Sequence, residues 1–86
     1  MLFRSIKGAV ALGLSESDAT TLTIQTIAGA AQMLEQSGKS PTTLRENVTS
    51  PNGTTAAALA KFQEGNLGNL ISSAMQAARD RSIELA

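Results

Sequence analysis

Apolar residues recur at spacings of three and four along most of the chain, which predicts helices. The longest helix begins at the capping sequence Ser15-Glu16-Ser17-Asp18, where the serine hydroxyl accepts from a first-turn N–H and Asp18 reaches back. It ends near Ser37, and Gly38 supplies the stop. Its apolar stripe consists of Leu22, Ile27, Ala30, Ala31 and Leu34.

Four more helices are separated by residues that stop or start helices. Gly13 and Gly65 close two of them, and Ser40-Pro41 opens another, with serine as the cap and proline in the first helical position. Their predicted bounds are, in chain order, up to Leu12, Pro41 to Asn47, Thr54 to Glu64 and about Asn66 to Leu85. No low-complexity linker divides the chain, so the pattern predicts one all-α domain over residues 6–86.

Composition makes this domain marginal as a free-standing monomer. Of its 86 residues 36 are apolar, and 14 of those are alanine, so few large side chains are available for a core. Two segments, Ala28-Gly29-Ala30-Ala31 and Ala56-Ala57-Ala58, carry small side chains that let another helix approach closely, and that helix can belong to a second copy. The alternative explanation for the alanines is their high helix propensity.

Several classes of function are excluded by what the sequence lacks. There is no cysteine or histidine, so disulfides, imidazole catalysis and ordinary zinc sites are excluded, and we expect no metal site. Two aromatic residues and a net charge of zero predict no nucleic-acid partner and no membrane surface. No apolar run in the sequence is longer than five residues, which is far too short for a signal or a span, so we expect a cytoplasmic protein.

Residues 1–5 are interpreted as non-native. Leu2-Phe3-Arg4-Ser5 is what the nucleotides CTC TTC CGA TCT encode, and that string ends a widely used sequencing adapter. On this hypothesis the natural chain continues upstream of Ile6, and its N-terminal part is absent. The alternative is an ordinary helix start.

The segment from Val48 to Thr55 is the candidate for chemistry. A Ser-Pro-Asn-Gly turn leads into Thr54-Thr55 at a helix start, where unpaired N–H groups and the helix dipole favour a carboxylate or phosphate. Gly53 has no side chain to keep an anion from the backbone, and Ser50 adds a hydroxyl. The alternative is a capped helix preceded by an ordinary turn.

This segment lies within a longer motif that resembles the signature of the pyrroline-5-carboxylate reductase family. The motif is Pro41-x2-Leu44-x3-Val48-Thr49-Ser50-Pro51-Asn52-Gly53-Thr54-Thr55-x2-Ala58-Leu59-x2-Phe62-Gln63. The resemblance extends to the C-terminal region of that family over about residues 8–86. Position 52 departs from it, since many members have glycine there, but asparagine tolerates left-handed geometry and the turn should survive.

The resemblance implies a fold and an activity. The fold is a helical bundle dimerisation domain of the 6-phosphogluconate-dehydrogenase C-terminal-like type, intertwined with a second subunit. Family members reduce 1-pyrroline-5-carboxylate to L-proline with NADPH or NADH, the last step of proline biosynthesis. The cofactor binds to an N-terminal Rossmann domain. No Gly-x-Gly-x-x-Gly motif occurs in this chain, so we expect that domain to be absent and the chain alone to bind no cofactor and show no activity.

The resemblance also implies roles for individual residues. Ser50 and the backbone of Gly53 and Thr54 hold the substrate carboxylate. Thr55 lies beside the substrate ring nitrogen, where it orients the imine or helps to protonate it, and is therefore the expected catalytic residue.

Two alternative functions are also compatible with the sequence. One is a non-catalytic helical homodimerisation module, and the other is a related enzyme that acts on a different imine or keto substrate. The expected partners are a second copy of the chain and the substrate, with assembly beyond the dimer left open.

Overall fold

A computed structural model describes residues 2–86, and all regular structure in that range is α-helical. The helices are α1 (Leu2–Ala11), α2 (Glu16–Ser37), α3 (Pro41–Asn47), α4 (Thr54–Glu64) and α5 (Leu67–Leu85). The predicted all-α class is therefore confirmed. Met1, the first residue of the segment interpreted as non-native, lies outside the described residues, and the rest of that segment forms the start of α1.

The predicted caps of α2 are largely present. The Ser15 hydroxyl accepts from the Asp18 N–H at 3.1 Å, while residues 2–86 show no return bond from the Asp18 carboxylate, so half of the capping box forms. Gly38 ends the helix in the left-handed conformation with φ 68°. Gly13, which follows α1, also has a positive φ, of 113°.

The threonines of α2 are poor helix formers, and two of them bond to the helix itself. The Thr20 hydroxyl donates to the Glu16 carbonyl at 2.8 Å, and the Thr26 hydroxyl donates to the Leu22 carbonyl at 2.7 Å. These bonds satisfy the hydroxyls within one turn and add nothing to long-range packing. The helix consequently depends on its apolar stripe for tertiary stability.

The contacts of the chain divide into two units, one reaching to Leu44 and one from Arg45 to Ala86. In the first unit α1 packs against α2. Ala19, in the first turns of α2, is fully buried there. An alanine at that position lets the two helices come close together, as small side chains do at helix contacts.

In the second unit α4 contacts α5 across a two-residue connection, Gly65 and Asn66. The sequence correctly predicts that α4 ends before Gly65, but Gly65 itself has an ordinary φ of −83°. The left-handed residue is Asn66, with φ 57°, which immediately precedes α5. The chain direction therefore changes at the asparagine.

Large apolar side chains are exposed in both units. Leu22 and Ile27 of the predicted stripe are 54% and 50% exposed, and Leu70 of α5 is 65% exposed. Met33 of α2 and Met75 of α5 are exposed as well, at 50% and 68%. Large apolar side chains of each unit are therefore left uncovered by the chain itself.

Among residues 2–86, no helix is both long enough and apolar enough to cross a bilayer. The exposed surface carries ion pairs such as that between Arg81 and Glu84, at 3.0 Å. Pairs this exposed contribute little to stability.

Candidate functional site

The connection between α3 and α4 contains a tight turn from Ser50 to Gly53. The Gly53 N–H donates to the Ser50 carbonyl at 3.0 Å. Pro51 and Asn52 are the two central residues, and Asn52 is left-handed with φ 61°. Proline followed by a residue of positive φ is the pattern of a type II turn, in which asparagine is the usual replacement for glycine. The expectation that asparagine preserves this turn is met.

Gly53 is required for a reason other than a positive φ. Its backbone is extended, with φ −83° and ψ 178°, a conformation open to any residue. A Cβ at position 53, however, would lie 2.5 Å from the Ser50 hydroxyl oxygen and 3.1 Å from the Ser50 carbonyl oxygen. The glycine therefore lets the Ser50 side chain lie against the start of α4.

The N-terminus of α4 offers unbonded donors. Gly53 is the N-cap residue, has no side chain to cap the helix and accepts from the Ala57 N–H at 3.1 Å. Within residues 2–86 no acceptor bonds the N–H groups of Thr54, Thr55 and Ala56. The first turn also lacks an acidic side chain. Such a terminus carries partial positive charge and suits an anion.

The four predicted site residues come together at this junction, but with different exposure. Ser50 and Thr54 are exposed, whereas Gly53 and Thr55 are half-buried. The Thr55 hydroxyl is thus the more sheltered of the two threonine hydroxyls at the helix start. The arrangement presents backbone donors together with hydroxyls that donate or accept.

A separate cleft of about 670 Å³ lies within the second unit. Its lining consists of Arg45, Glu46, Thr49, Leu59, Phe62, Gln63, Leu67 and Gly68. None of the four predicted site residues lines this cleft. The cleft was missed by the sequence reasoning, although the i, i+3 pair Leu59 and Phe62 is a signal of a shared apolar face.

In the part of the chain from residue 2 to 86, no three acidic side chains gather as a metal ion would need. Thr49, at the edge of the cleft, donates its hydroxyl to the Arg45 carbonyl and is thereby satisfied locally. The start of α4, with its unbonded N–H donors, is therefore the candidate ligand-binding site of this unit.

Residues 1–85 match a family model described as pyrroline-5-carboxylate reductase dimerisation. The chain belongs to the pyrroline-5-carboxylate reductase family. It is 52% identical over 75 residues to pyrroline-5-carboxylate reductase of Pseudomonas aeruginosa, covering 87% of this chain and 28% of that protein. It is 42% identical over 79 residues to the Arabidopsis thaliana pyrroline-5-carboxylate reductase, covering 92% and 29%.

A solved structure agrees with the family assignment. The crystal structure of a Plasmodium falciparum pyrroline carboxylate reductase with NADP bound matches 94% of this chain with a TM-score of 0.91 and 30% sequence identity. The match covers 31% of that chain. The sequence therefore spans between a quarter and a third of the length of these pyrroline-5-carboxylate reductases and matches their dimerisation region.

Proposed function

We propose that this chain is the dimerising and substrate-carboxylate-binding part of a pyrroline-5-carboxylate reductase. The complete enzyme reduces 1-pyrroline-5-carboxylate to L-proline with NADPH or NADH in proline biosynthesis, in the cytoplasm. The observation that carries the proposal is the start of α4, where free N–H groups meet the Ser50 hydroxyl in a chain of this family. The single carboxylate of this substrate can bind the free N–H groups at the start of α4.

Carboxylate binding follows from the arrangement of donors. The N–H groups of Thr54 and Thr55 point out of the first turn, and the Ser50 hydroxyl lies beside Gly53. Hydrogen bonds to a charged acceptor contribute about 1.5–3 kcal/mol each. Two or three of them, together with the helix dipole, hold the substrate by its carboxylate and orient the attached ring.

We assign a different role to Thr55, which is half-buried. With the carboxylate on the first-turn donors, the Thr55 hydroxyl orients the ring nitrogen by a hydrogen bond and assists its protonation. A positioned proton donor of this kind contributes about 10²–10⁴-fold to a rate. Thr55 is therefore the one residue of this chain to which we assign a catalytic role.

The residues of this chain do not fit a dinucleotide. Residues 2–86 contain no strand–glycine-rich turn–helix unit, which is the element that binds a pyrophosphate in Rossmann domains. We assign the cofactor to a separate N-terminal domain, and the chain alone is inactive in this proposal.

The dimer is supported by the exposed apolar faces. Obligate homodimers cover large apolar surfaces of this kind, in interfaces of about 2,000–5,000 Å² in total. The exposed side chains of α2 and α5, such as Ile27 and Leu70, are the natural interface residues. The alternative is a homodimerisation module without catalysis, which this surface supports equally well.

A chimera separates the enzyme from the module. The matching region of the Pseudomonas aeruginosa reductase is replaced by this chain, and reduction of 1-pyrroline-5-carboxylate and the sedimentation of the product protein are both measured. We expect an active dimer in which Thr55→Ala lowers kcat by at least about tenfold, Thr55→Ser restores most of it, and sedimentation is unchanged. A dimeric but inactive chimera supports the module, and wild-type kinetics in Thr55→Ala would sink the role of Thr55.

A further inference from the structure

The turn before α4 contains an asparagine followed by glycine in an exposed position. Asn52 is exposed and left-handed, with φ 61°, and Gly53 follows it. The chain provides its own comparison, since Asn66 is also exposed and left-handed, with φ 57°, but is followed by Leu67. The two asparagines share backbone conformation and differ in the residue that comes next.

That next residue governs a spontaneous reaction of asparagine. The backbone nitrogen of Gly53 attacks the side-chain carbonyl carbon Cγ of Asn52, and the new N–C bond closes a five-membered ring. The bond from Cγ to Nδ2 breaks, the nitrogen leaves as ammonia, and a succinimide remains. Water then opens the ring at either carbonyl, which yields aspartate or isoaspartate with no oxidation or reduction. A side chain on the next residue hinders the attack, and glycine has none.

The structure shows what holds this reaction back. The attacking nitrogen carries the N–H that donates to the Ser50 carbonyl at 3.0 Å. The turn must therefore open at this hydrogen bond before the nitrogen can lose its proton and reach Cγ. Ser50, Pro51 and Asn52 are all exposed, so opening the turn uncovers no core. Local openings of this kind are the least costly in a protein.

We propose that Asn52 is a site of spontaneous deamidation, and that the resulting carboxylate lowers the affinity of the adjacent anion site. The second statement rests on the proposed function, whereas the first does not. The partial positive charge at the start of α4 stabilises a carboxylate at position 52, as it does any anion placed there. A chain with aspartate at position 52 therefore stays folded, while its site has acquired a negative charge of its own.

Mass spectrometry tests the modification on the chain as it is. The protein is incubated at neutral and at mildly alkaline pH and then cleaved by trypsin, which places Asn52 in the peptide 46–61 and Asn66 in the peptide 62–79. We expect the deamidated fraction of the peptide 46–61 to increase with time, and to do so faster at the higher pH. The products are a mixture of aspartate and isoaspartate. The peptide 62–79 stays unchanged, and Asn52→Gly abolishes the gain. Equal rates in the two peptides, or none in either, overturn the proposal.

Kinetics of the chimera test the consequence. Asn52→Asp carries the charge permanently, and Asn52→Gly fits the same positive φ without an amide to lose. We expect Asn52→Asp to raise KM for the substrate by about fivefold, the effect of a like charge about 4 Å away that is fully screened by water. An unchanged KM overturns the effect on the site. A failed chimera bears on the proposed function and leaves the peptide result to decide the modification.

Discussion

Helices α2 and α4 begin in different ways, although each follows a short connection after another helix. At α2 the Ser15 hydroxyl bonds a first-turn N–H, and Glu16 and Asp18 place carboxylates beside the positive end of the dipole. At α4 the cap is Gly53, and residues 54–56 supply neither a side-chain cap nor an acidic group. One terminus is stabilised by its own side chains, and the other is left open.

The difference indicates a cost in stability accepted at α4. That cost is small, because glycine at the cap position is only a few tenths of a kcal/mol less favourable than serine, threonine or aspartate. An open terminus alone does not mark an anion site, since α5 also begins without a side-chain cap. What distinguishes α4 is the group of hydroxyls around its first turn, at Ser50, Thr54 and Thr55, which α5 lacks.

The largest effect is expected from Gly53→Ala in the chimera. The new Cβ would lie 2.5 Å from the Ser50 hydroxyl oxygen and displace it from the start of α4. The substrate carboxylate would lose its proposed hydrogen bond from the Ser50 hydroxyl, and the turn would be distorted. Together these changes weaken carboxylate binding by about 3 kcal/mol, which is a rise in KM of about a hundredfold. Gly68→Ala is the matched control, because a Cβ there meets open space. Equal KM values for the two variants would contradict the assigned role of Gly53.

Thr54→Asp makes the start of α4 resemble that of α2. The added carboxylate stabilises the helix by about 0.3–1 kcal/mol. It also repels the substrate carboxylate and raises KM by about tenfold. The melting temperature should therefore rise while the affinity for the substrate, measured by steady-state kinetics, falls. Thr54→Asn, which has the same shape without the charge, should change neither by much, and parallel shifts in stability and affinity would count against an anion site.

Ser50→Ala removes the hydroxyl and leaves the turn intact. Since residues 2–86 show no hydrogen bond made by the Ser50 hydroxyl, we expect stability to stay within about 0.5 kcal/mol. KM should rise by roughly tenfold if this hydroxyl donates to the carboxylate. Thr49→Val is the control with the opposite pattern, because the Thr49 hydroxyl donates to the Arg45 carbonyl. It should reduce stability and leave KM unchanged.

The smallest effect belongs to α2. Ser15→Ala removes the bond to the Asp18 N–H and should lower the free energy of unfolding by about 1 kcal/mol with no change in KM. Ser17→Ala, two residues further along the chain, is the control and should have a negligible effect. A change in substrate affinity on Ser15→Ala would mean that the two helix starts are not independent.

Much of this fold is predictable because its signals are local. The residues that cap or stop α2, Ser15 and Gly38, act through contacts with their immediate neighbours in the chain. The left-handed residue after α4 was not predicted, since Gly65 was the obvious stop and Asn66 has the positive φ. Which of two adjacent residues reverses the chain depends on how α5 must leave to contact α4, and that is a tertiary constraint.

The candidate site likewise has features that depend on local sequence and features that depend on tertiary contacts. Ser50, Gly53, Thr54 and Thr55 lie within six positions of one another, so a turn followed by a helix is enough to bring them together. The separate cleft takes residues from α3, α4 and α5, and the proximity of those residues cannot be obtained from spacing along the chain. The reason for glycine at position 53 was likewise hidden, because it depends on where the Ser50 side chain lies.

The exposed apolar side chains have a consequence for how this protein responds to dilution. When much of the apolar surface is covered only by a second copy, folding and association become one equilibrium, and its midpoint depends on protein concentration. The melting temperature should then rise with the logarithm of concentration, and dilution alone should unfold the chain. The abundance of the protein in its cell would in that case set the fraction of its chains that are folded.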